Sequence, residues 1–411
     1  MKFTLFIARR VIRQENRSFS GLIIIIARLA IALSLAVMIV ATAMVSGFRE
    51  TISDKIYGFW GHVNISRQSL RSSFDDLPMP VDSAFLNWAG QKPDIAAVQV
   101  YARKAGMLKT RTDLEGVIVK GVSSDFYGDS FRKYMVGGEL PAFDGDQPAG
   151  DMVLSRSIAQ RMQLEVGDSA VLYFIDQDES GLFNQRYRKL RIAGIYNTGL
   201  EEFDKMFVLA DIRHIRRLND WGPQEVGGYE IFANRTDLIL PVYEEVAREA
   251  DPFWEVQSVY ELIPGIFDWL NLQRINERII IILMLVVALI NMVTSLLILI
   301  LERTTMIGTL KALGANNRSV RSIFLVQAAY IIVWGMVIGD AIGLSLCYLQ
   351  QAFGIIRLPE ESYYVSVAPV SIHYGSIILL NIATLAVSLL FLLIPSALVS
   401  RLHPVKTLRF S

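Results

Sequence analysis

The sequence predicts an α-helical membrane protein with four transmembrane helices and one large α+β extracytoplasmic domain. Three observations carry that expectation. Hydrophobic residues make up 52% of the 411 positions and charged residues only 19%, against the roughly one quarter charged that is usual in soluble domains. The apolar excess gathers near residues 19–48, 279–301, 322–349 and 375–398, while the stretch between the first two has ordinary soluble composition. Lys and Arg, finally, cluster beside those runs on one side only.

The elements follow in order. Residues 1–28 form a basic lead segment, with Lys2, Arg9, Arg10, Arg13 and Arg17. Leu29–Phe48 is a charge-free run and makes transmembrane helix 1. Phe19–Ala27 is then interfacial or a helical lead-in. Arg28 snorkels toward the cytoplasmic headgroups, because a charge at mid-bilayer costs about 2.5–3.5 kcal/mol. A cleaved signal peptide would have a shorter basic region and a shorter apolar run. Residues 49–275 form the outer domain and 276–301 helix 2, within which Ile279–Leu301 is uncharged. At 1.5 Å per residue that run is about 34 Å long, enough for a ~30 Å hydrocarbon core.

Residues 302–321 are a cytoplasmic loop, 322–349 helix 3, 350–374 a short outer loop, 375–398 helix 4 and 399–411 a cytoplasmic tail. In helix 3, Gly335, Gly339 and Gly343 recur at the four-residue spacing that lets membrane helices approach closely. Asp340 faces protein or water there, as a coupling residue or as a simple polar contact. The basic residues before helix 1, between helices 2 and 3 (Arg303, Lys311, Arg318, Arg321) and after helix 4 (Arg401, Lys406, Arg409) place both termini inside. Trp60, Trp269, Tyr363, Tyr364 and Tyr374 would suit an aromatic belt at the outer boundary.

Within the outer domain, β-rich runs occur at His62–Ser66, Ala97–Ala102, Gly116–Val122, Ala170–Ile175, Leu190–Tyr196 and Tyr229–Ala233. Helices are expected at Ser155–Leu164, Asp211–Leu218 and Asp237–Ala250. The two kinds do not alternate regularly, which favours α+β over a doubly wound sheet. Asp176–Gly181 reads as the solvated tip of a long hairpin, or as a docking element. The one cysteine, Cys347, lies in helix 3, so no disulfide staples this domain.

Several chemistries are missing. A formal net charge of zero gives no sign of nucleic acid as a partner. There is no P-loop: the glycines of Gly308–Gly314 are one residue too far apart and Ala315 stands where lysine is needed. Nor is there a Gly-x-Ser-x-Gly elbow or a His-Glu-x-x-His motif, and His62, His214, His373 and His403 have no metal-ligand spacing. The chain is not itself a catalyst on this reading, and it binds no cofactor or metal. In the cytoplasmic loop, Met306, Leu310 and Leu313 recur at i, i+4 and i+7 beside Ile307, and Gly314 is a natural C-terminal cap. Such a helix suits a lever for a motor domain, or a helix resting in the headgroup layer.

The run Glu302-x-x-x-Met-Ile-Gly-x-Leu-Lys-Ala-Leu-Gly-Ala315, directly after a span containing Asn291, resembles the FtsX-like/MacB-type ABC permease family. Arg17–Phe48 is similar to that family's first span. Gly354–Val370 and the close from Pro395 to Arg409 resemble its lipoprotein-releasing branch (LolC/LolE). The resemblance implies a MacB-like periplasmic core domain and an inner-membrane permease dimer, with a second subunit identical or paralogous. It implies a separate cytoplasmic ABC ATPase dimer that carries ATP and Mg, lipoprotein substrates, membrane lipid contacts and a periplasmic lipoprotein chaperone. Glu302, Arg303, Met306, Ile307, Leu310, Lys311, Leu313 and Gly314 would couple to the ATPase. Val40, Met44 and Phe48 would contact lipid, or else pack on another helix. Asp176, Asp178, Glu179, Gly181, Leu182 and Phe183 would hold the chaperone, although this hairpin lacks the prolines the family pattern has there. Two other branches keep the architecture: a transmitter that regulates a cell-wall hydrolase, usually with a smaller outer domain, and an efflux permease, commonly fused to its ATPase.

Overall fold

The computed structural model describes residues 19–68, 74–145, 147–177 and 183–396. Helix α1 (Phe19–Trp60) runs 42 residues, well past the expected exit at Phe48. Nothing in the sequence stops it sooner, because Ile52, Ile56 and Phe59 keep a buried face at helical spacing. There follow β1 (Val63–Arg67), β2 (Met79–Pro80), α2 (Ser83–Gly90), β3 (Ile95–Lys109) and β4 (Leu114–Val122). Next come α3 (Gly128–Arg132), β5 (Met135–Gly138), β6 (Asp151–Ser155), α4 (Arg156–Arg161), β7 (Ser169–Gln177) and β8 (Phe183–Tyr196). The domain continues with α5 (Glu201–Asp204), β9 (Phe207–Asp211), α6 (Ile212–Leu218), β10 (Glu225–Val226), β11 (Gly228–Ala233), α7 (Ile239–Glu249), β12 (Trp254–Ser258) and α8 (Val259–Leu262). The remainder is helical: α9 (Pro264–Glu302), α10 (Thr304–Ala312), α11 (Asn317–Phe353), the short α12 (Glu360–Tyr363) and α13 (Tyr374–Ser396).

Two compact units result. One holds the described residues up to Glu50, Trp269–Arg357 and those from Val367 on; the other holds Thr51–Asp268 and Leu358–Ser366. The main chain therefore passes between them at four points.

In the helical unit, α1, α9, α11 and α13 are each long and apolar enough to cross a membrane. Their shared core joins Leu35 and Ile39 of α1, Leu296 of α9, Phe324 and Ile331 of α11 and Leu392 of α13. About half of the apolar window of α1 and of α11 is buried, but only 22% of that of α9 and α13.

The other unit is built on a ten-stranded mixed sheet. β4 pairs with β9 and β6 with β8 in parallel, and the other ladders are antiparallel. Its pairings close a ring: β3–β4–β9–β6–β8–β7 and back to β3. The long strands β3 and β8 make closure possible, because each extends beyond the ring to carry further strands. β11, β1 and β12 continue the sheet from the first half of β3, and β5 adds to the end of β8. Each of those six strands therefore pairs with two others of the ring, each ladder covering part of its length.

Helix starts follow local chemistry. Asp82 accepts from Ala84 N and Phe85 N ahead of α2, Ser155 from Ile158 N ahead of α4, and Asp211 from Arg213 N ahead of α6. Ser258 and Glu261 form a capping box ahead of α8. Leu358–Ser366 belongs to this unit through polar contacts: Lys55 Nζ donates to Tyr364 O at 2.7 Å, and Asn197 Nδ2 to Glu360 Oε1 at 3.4 Å.

Candidate coupling, packing and docking sites

The loop helix ends α9 sharply. At Arg303 the backbone turns out of the helix (φ −100°, ψ 20°) and α10 restarts at Thr304. Gly314 sits at φ +89°, open to glycine and strained for other residues. Ala315 N donates to Leu310 O at 2.9 Å, the six-to-one bond of a Schellman ending. The expected apolar face is split. Ile307 and Gly308 are buried, and Met306 and Leu310 pack on the helical core, but Leu313 is 80% exposed. The reason is geometric: α10 stops at Ala312, so the i+7 step no longer applies at Leu313. Glu302 closes α9 and Lys311 lies in the last turn of α10. What protrudes is one leucine beside a left-handed glycine.

The glycines of α11 line a close crossing. A Cβ at Gly335 would stand 2.9 Å from Ile31 Cβ, one at Gly339 2.8 Å from Ala32 O, and one at Gly343 3.1 Å from Ile39 Cβ. Residue numbers rise together on both helices, so α1 and α11 run parallel along this seam. Asp340, one position off it, accepts from Asn381 Nδ2 of α13 at 2.9 Å, so it faces protein.

Val40, Met44 and Phe48 fall on one stripe of α1 and all three are half-buried. Val40 packs against the helical core, beside the fully buried face of Leu35, Ile39 and Ala43. Near the end of the stripe, Ser371 N donates to Ala43 O at 2.9 Å and Gly47 lets the Pro369 carbonyl approach.

The hairpin ladder of β7 and β8 runs out to Asp176 opposite Asn184 and Gln177 opposite Phe183. Asp178, Glu179, Gly181 and Leu182 lie outside the described residues. Behind them the β8 surface is basic and aromatic. Tyr187, 64% exposed, faces Tyr173 at 6.0 Å, and Lys109 Nζ lies 5.4 Å from the Tyr173 ring.

One expectation is corrected. Trp60 is not a belt residue at a boundary: it is buried against Phe203 and Phe207 at 5.6 and 5.4 Å. The Arg28 guanidinium lies 5.3 Å from the Tyr330 ring centroid of α11.

A polar cluster in the outer unit went unread in the sequence. Lys120 and Glu230, both fully buried, pair at 2.7 Å. Gln99 Nε2 donates to Glu230 at 2.5 Å, and Lys120 Nζ also donates to the Phe59 carbonyl in the last turn of α1. The ammonium lies 4.6 Å from the Phe59 ring. A cation at a helix C-terminus opposes the negative end of its dipole. Burial pushes the ammonium down from its ordinary range, and the Glu230 carboxylate acts against that. Nearby, Arg103 grips Asp76 at 2.8 Å. Alternation places Lys120 on β4 and Glu230 on β11, but no local signal pairs two strands so far apart.

Comparison with known proteins joins the two halves of the chain. The MacB-like periplasmic core domain matches residues 24–235, and the FtsX-like permease C-terminal domain matches residues 278–404. The chain belongs to the FtsX-like/MacB-type permease family. Members similar to it end to end include the lipoprotein-releasing system transmembrane protein LolC of Xylella fastidiosa (strain 9a5c), 21% identical over 421 residues and covering 98% of each chain. LolC of Neisseria meningitidis is 22% identical over 429 residues, again 98% of each. LolE of Haemophilus influenzae is 21% identical over 415 residues, 96% of this chain and 97% of its own.

Proposed function

We propose that this chain is the permease subunit of an ATP-driven transporter that extracts lipoproteins from the inner membrane and hands them to a periplasmic chaperone. The observation that carries the reading is the match to lipoprotein-releasing permeases along 98% of the chain, covering helices and outer domain together. In this reading α1, α9, α11 and α13 span the inner membrane, both termini are cytoplasmic and the mixed-sheet unit is periplasmic. A second permease subunit, identical or paralogous, completes the membrane part.

The physical problem supports such an assembly. A lipid anchor gains about 0.8 kcal/mol for each buried CH₂, so removing a triacylated anchor costs on the order of tens of kcal/mol. Release needs an energy source and an apolar receiver. ATP and Mg belong to a partner ATPase dimer, and the protruding Leu313–Gly314 corner with α10 is the part of this chain that the ATPase pushes. Val40, Met44 and Phe48 meet the acyl chains, and the hairpin tip from Asp176 to Phe183 meets the chaperone.

Depletion of the protein in its native cell, followed by separation of inner and outer membranes, tests this. An outer-membrane lipoprotein should accumulate in the inner membrane. Normal sorting, with a change in division or drug tolerance instead, would move the assignment to a hydrolase regulator or an efflux permease.

A further inference from the structure

Arg28 stands in an apolar stretch of α1. Leu22, Ile25 and Ile26 before it and Leu29 and Leu33 after it are each more than half exposed. A guanidinium keeps its charge at any physiological pH and has five N–H donors to satisfy. Among the described residues, no carboxylate pairs with Arg28 and no hydrogen bond uses its donors; its Nε is buried without a partner. Its one contact of note is the Tyr330 ring of α11, 5.3 Å from guanidinium carbon to centroid. Tyr330 meets Trp334 edge-on at 6.3 Å, and both rings are partly exposed.

A cation with no anionic partner among the described residues, framed by a part-exposed Tyr–Trp pair among exposed aliphatic side chains, calls for an amphipathic anion. We propose that Arg28, Tyr330 and Trp334 hold the phosphate of one anionic glycerophospholipid at the seam of α1 and α11. The planar guanidinium matches a phosphodiester with two parallel hydrogen bonds. Tyr and Trp are the residue types that sit at headgroup level, and each brings a polar hydrogen to the site. Leu29 and Leu33 lie farther along α1 to receive acyl chains. Phosphatidylglycerol fits better than phosphatidylethanolamine, whose own ammonium competes with Arg28 for the phosphate. The site adjoins the tight crossing, since a Cβ on Gly335 would meet Arg28 O at 3.1 Å. A lipid held there braces the seam where the two helices are closest.

The inference rests on α1 and α11 lying in a bilayer, as the proposed function requires. The full chain is reconstituted in bilayers of equal phosphatidylglycerol and phosphatidylethanolamine, and the lipids retained on transfer to mild detergent are counted by native mass spectrometry. One retained phosphatidylglycerol is expected. Arg28→Gln should lower its retention roughly tenfold or more, the scale of a lost charge-assisted contact, and Arg28→Lys should restore part of it. Tyr330→Leu, which leaves the charge in place, should weaken retention less. Equal retention of both lipids, or a phosphatidylglycerol adduct unchanged in both Arg28→Gln and Tyr330→Leu, overturns the site. Extraction of the wild-type chain from native membranes by alkaline carbonate would overturn the membrane reading itself, a separate failure.

Discussion

At the scale of single residues, two buried groups make measurable predictions. His62 packs against Tyr57 in a tilted ring pair with centroids 4.4 Å apart, and its Nδ1 accepts from Ala233 N at 2.9 Å. Burial pushes its pKa down to about 4, against about 6.5 in an unfolded chain. Between those values the unfolded state binds a proton that the folded state refuses, so stability falls as pH drops from about 6.5 toward 4 and levels off below. The loss is on the order of 3 kcal/mol. Thermal unfolding of wild type and His62→Gln across that range should show the gap between them changing; a constant gap would refute the assignment. Lys120→Met should cost about 3–5 kcal/mol, because it strands the Glu230 carboxylate in the interior. Changing Glu230 as well, to Leu, should recover most of that. If the double variant is no better than the single, the pair is not the reason for the loss.

At the scale of elements, the seam between α1 and α11 gives a sharp contrast between glycines. Gly339→Ala would place a methyl 2.8 Å from the Ala32 carbonyl, while nothing lies within 4 Å of a Cβ on Gly375 in α13. Gly339→Ala should therefore destabilise by about 1–3 kcal/mol through overpacking, and Gly375→Ala should be nearly neutral in the same melting experiment. The four-residue spacing made this seam legible in the sequence, as hydropathy did the four long helices and alternation did β1, β3, β4, β7, β8 and β11. Their ends were less legible: β3 and β8 reach well beyond the predicted runs, because ladder partners rather than local pattern define their length. Strands β6 and β9 escaped notice for a related reason. Phe207–Asp211 is buried at every position, between β4 and β6, and so shows no alternation. The apolar face of α10 was read correctly as far as Leu310 and failed at Leu313, where the helix had already ended. Arg28 was visible as a charge in an apolar run, but Tyr330 lies some three hundred residues away and only packing brings it near.

At the scale of the whole molecule, the exposed Leu313 offers a test of coupling apart from folding. Leu313→Asp removes no buried contact, since the side chain is 80% exposed, and surface changes of that kind usually stay within about 0.5 kcal/mol. Lipoprotein release in cells should nevertheless fall, and the partner ATPase should co-purify less well, with the melting temperature unchanged. A lowered melting temperature would mean the corner is structural. The sequence carries the order of units along the chain, yet the nine residues Leu358–Ser366 are joined to the outer unit by folding rather than by adjacency. This bears on any attempt to produce that unit alone. A single continuous fragment cut at residues 51 and 268 leaves out the acceptor of Lys55, the Tyr364 carbonyl, and uncovers Gly199, where Glu360 and Tyr364 otherwise crowd. The outer domain is thus not a cassette to be lifted out by its ends. An expression clone has to graft Leu358–Ser366 back through an engineered linker to reproduce the native surface.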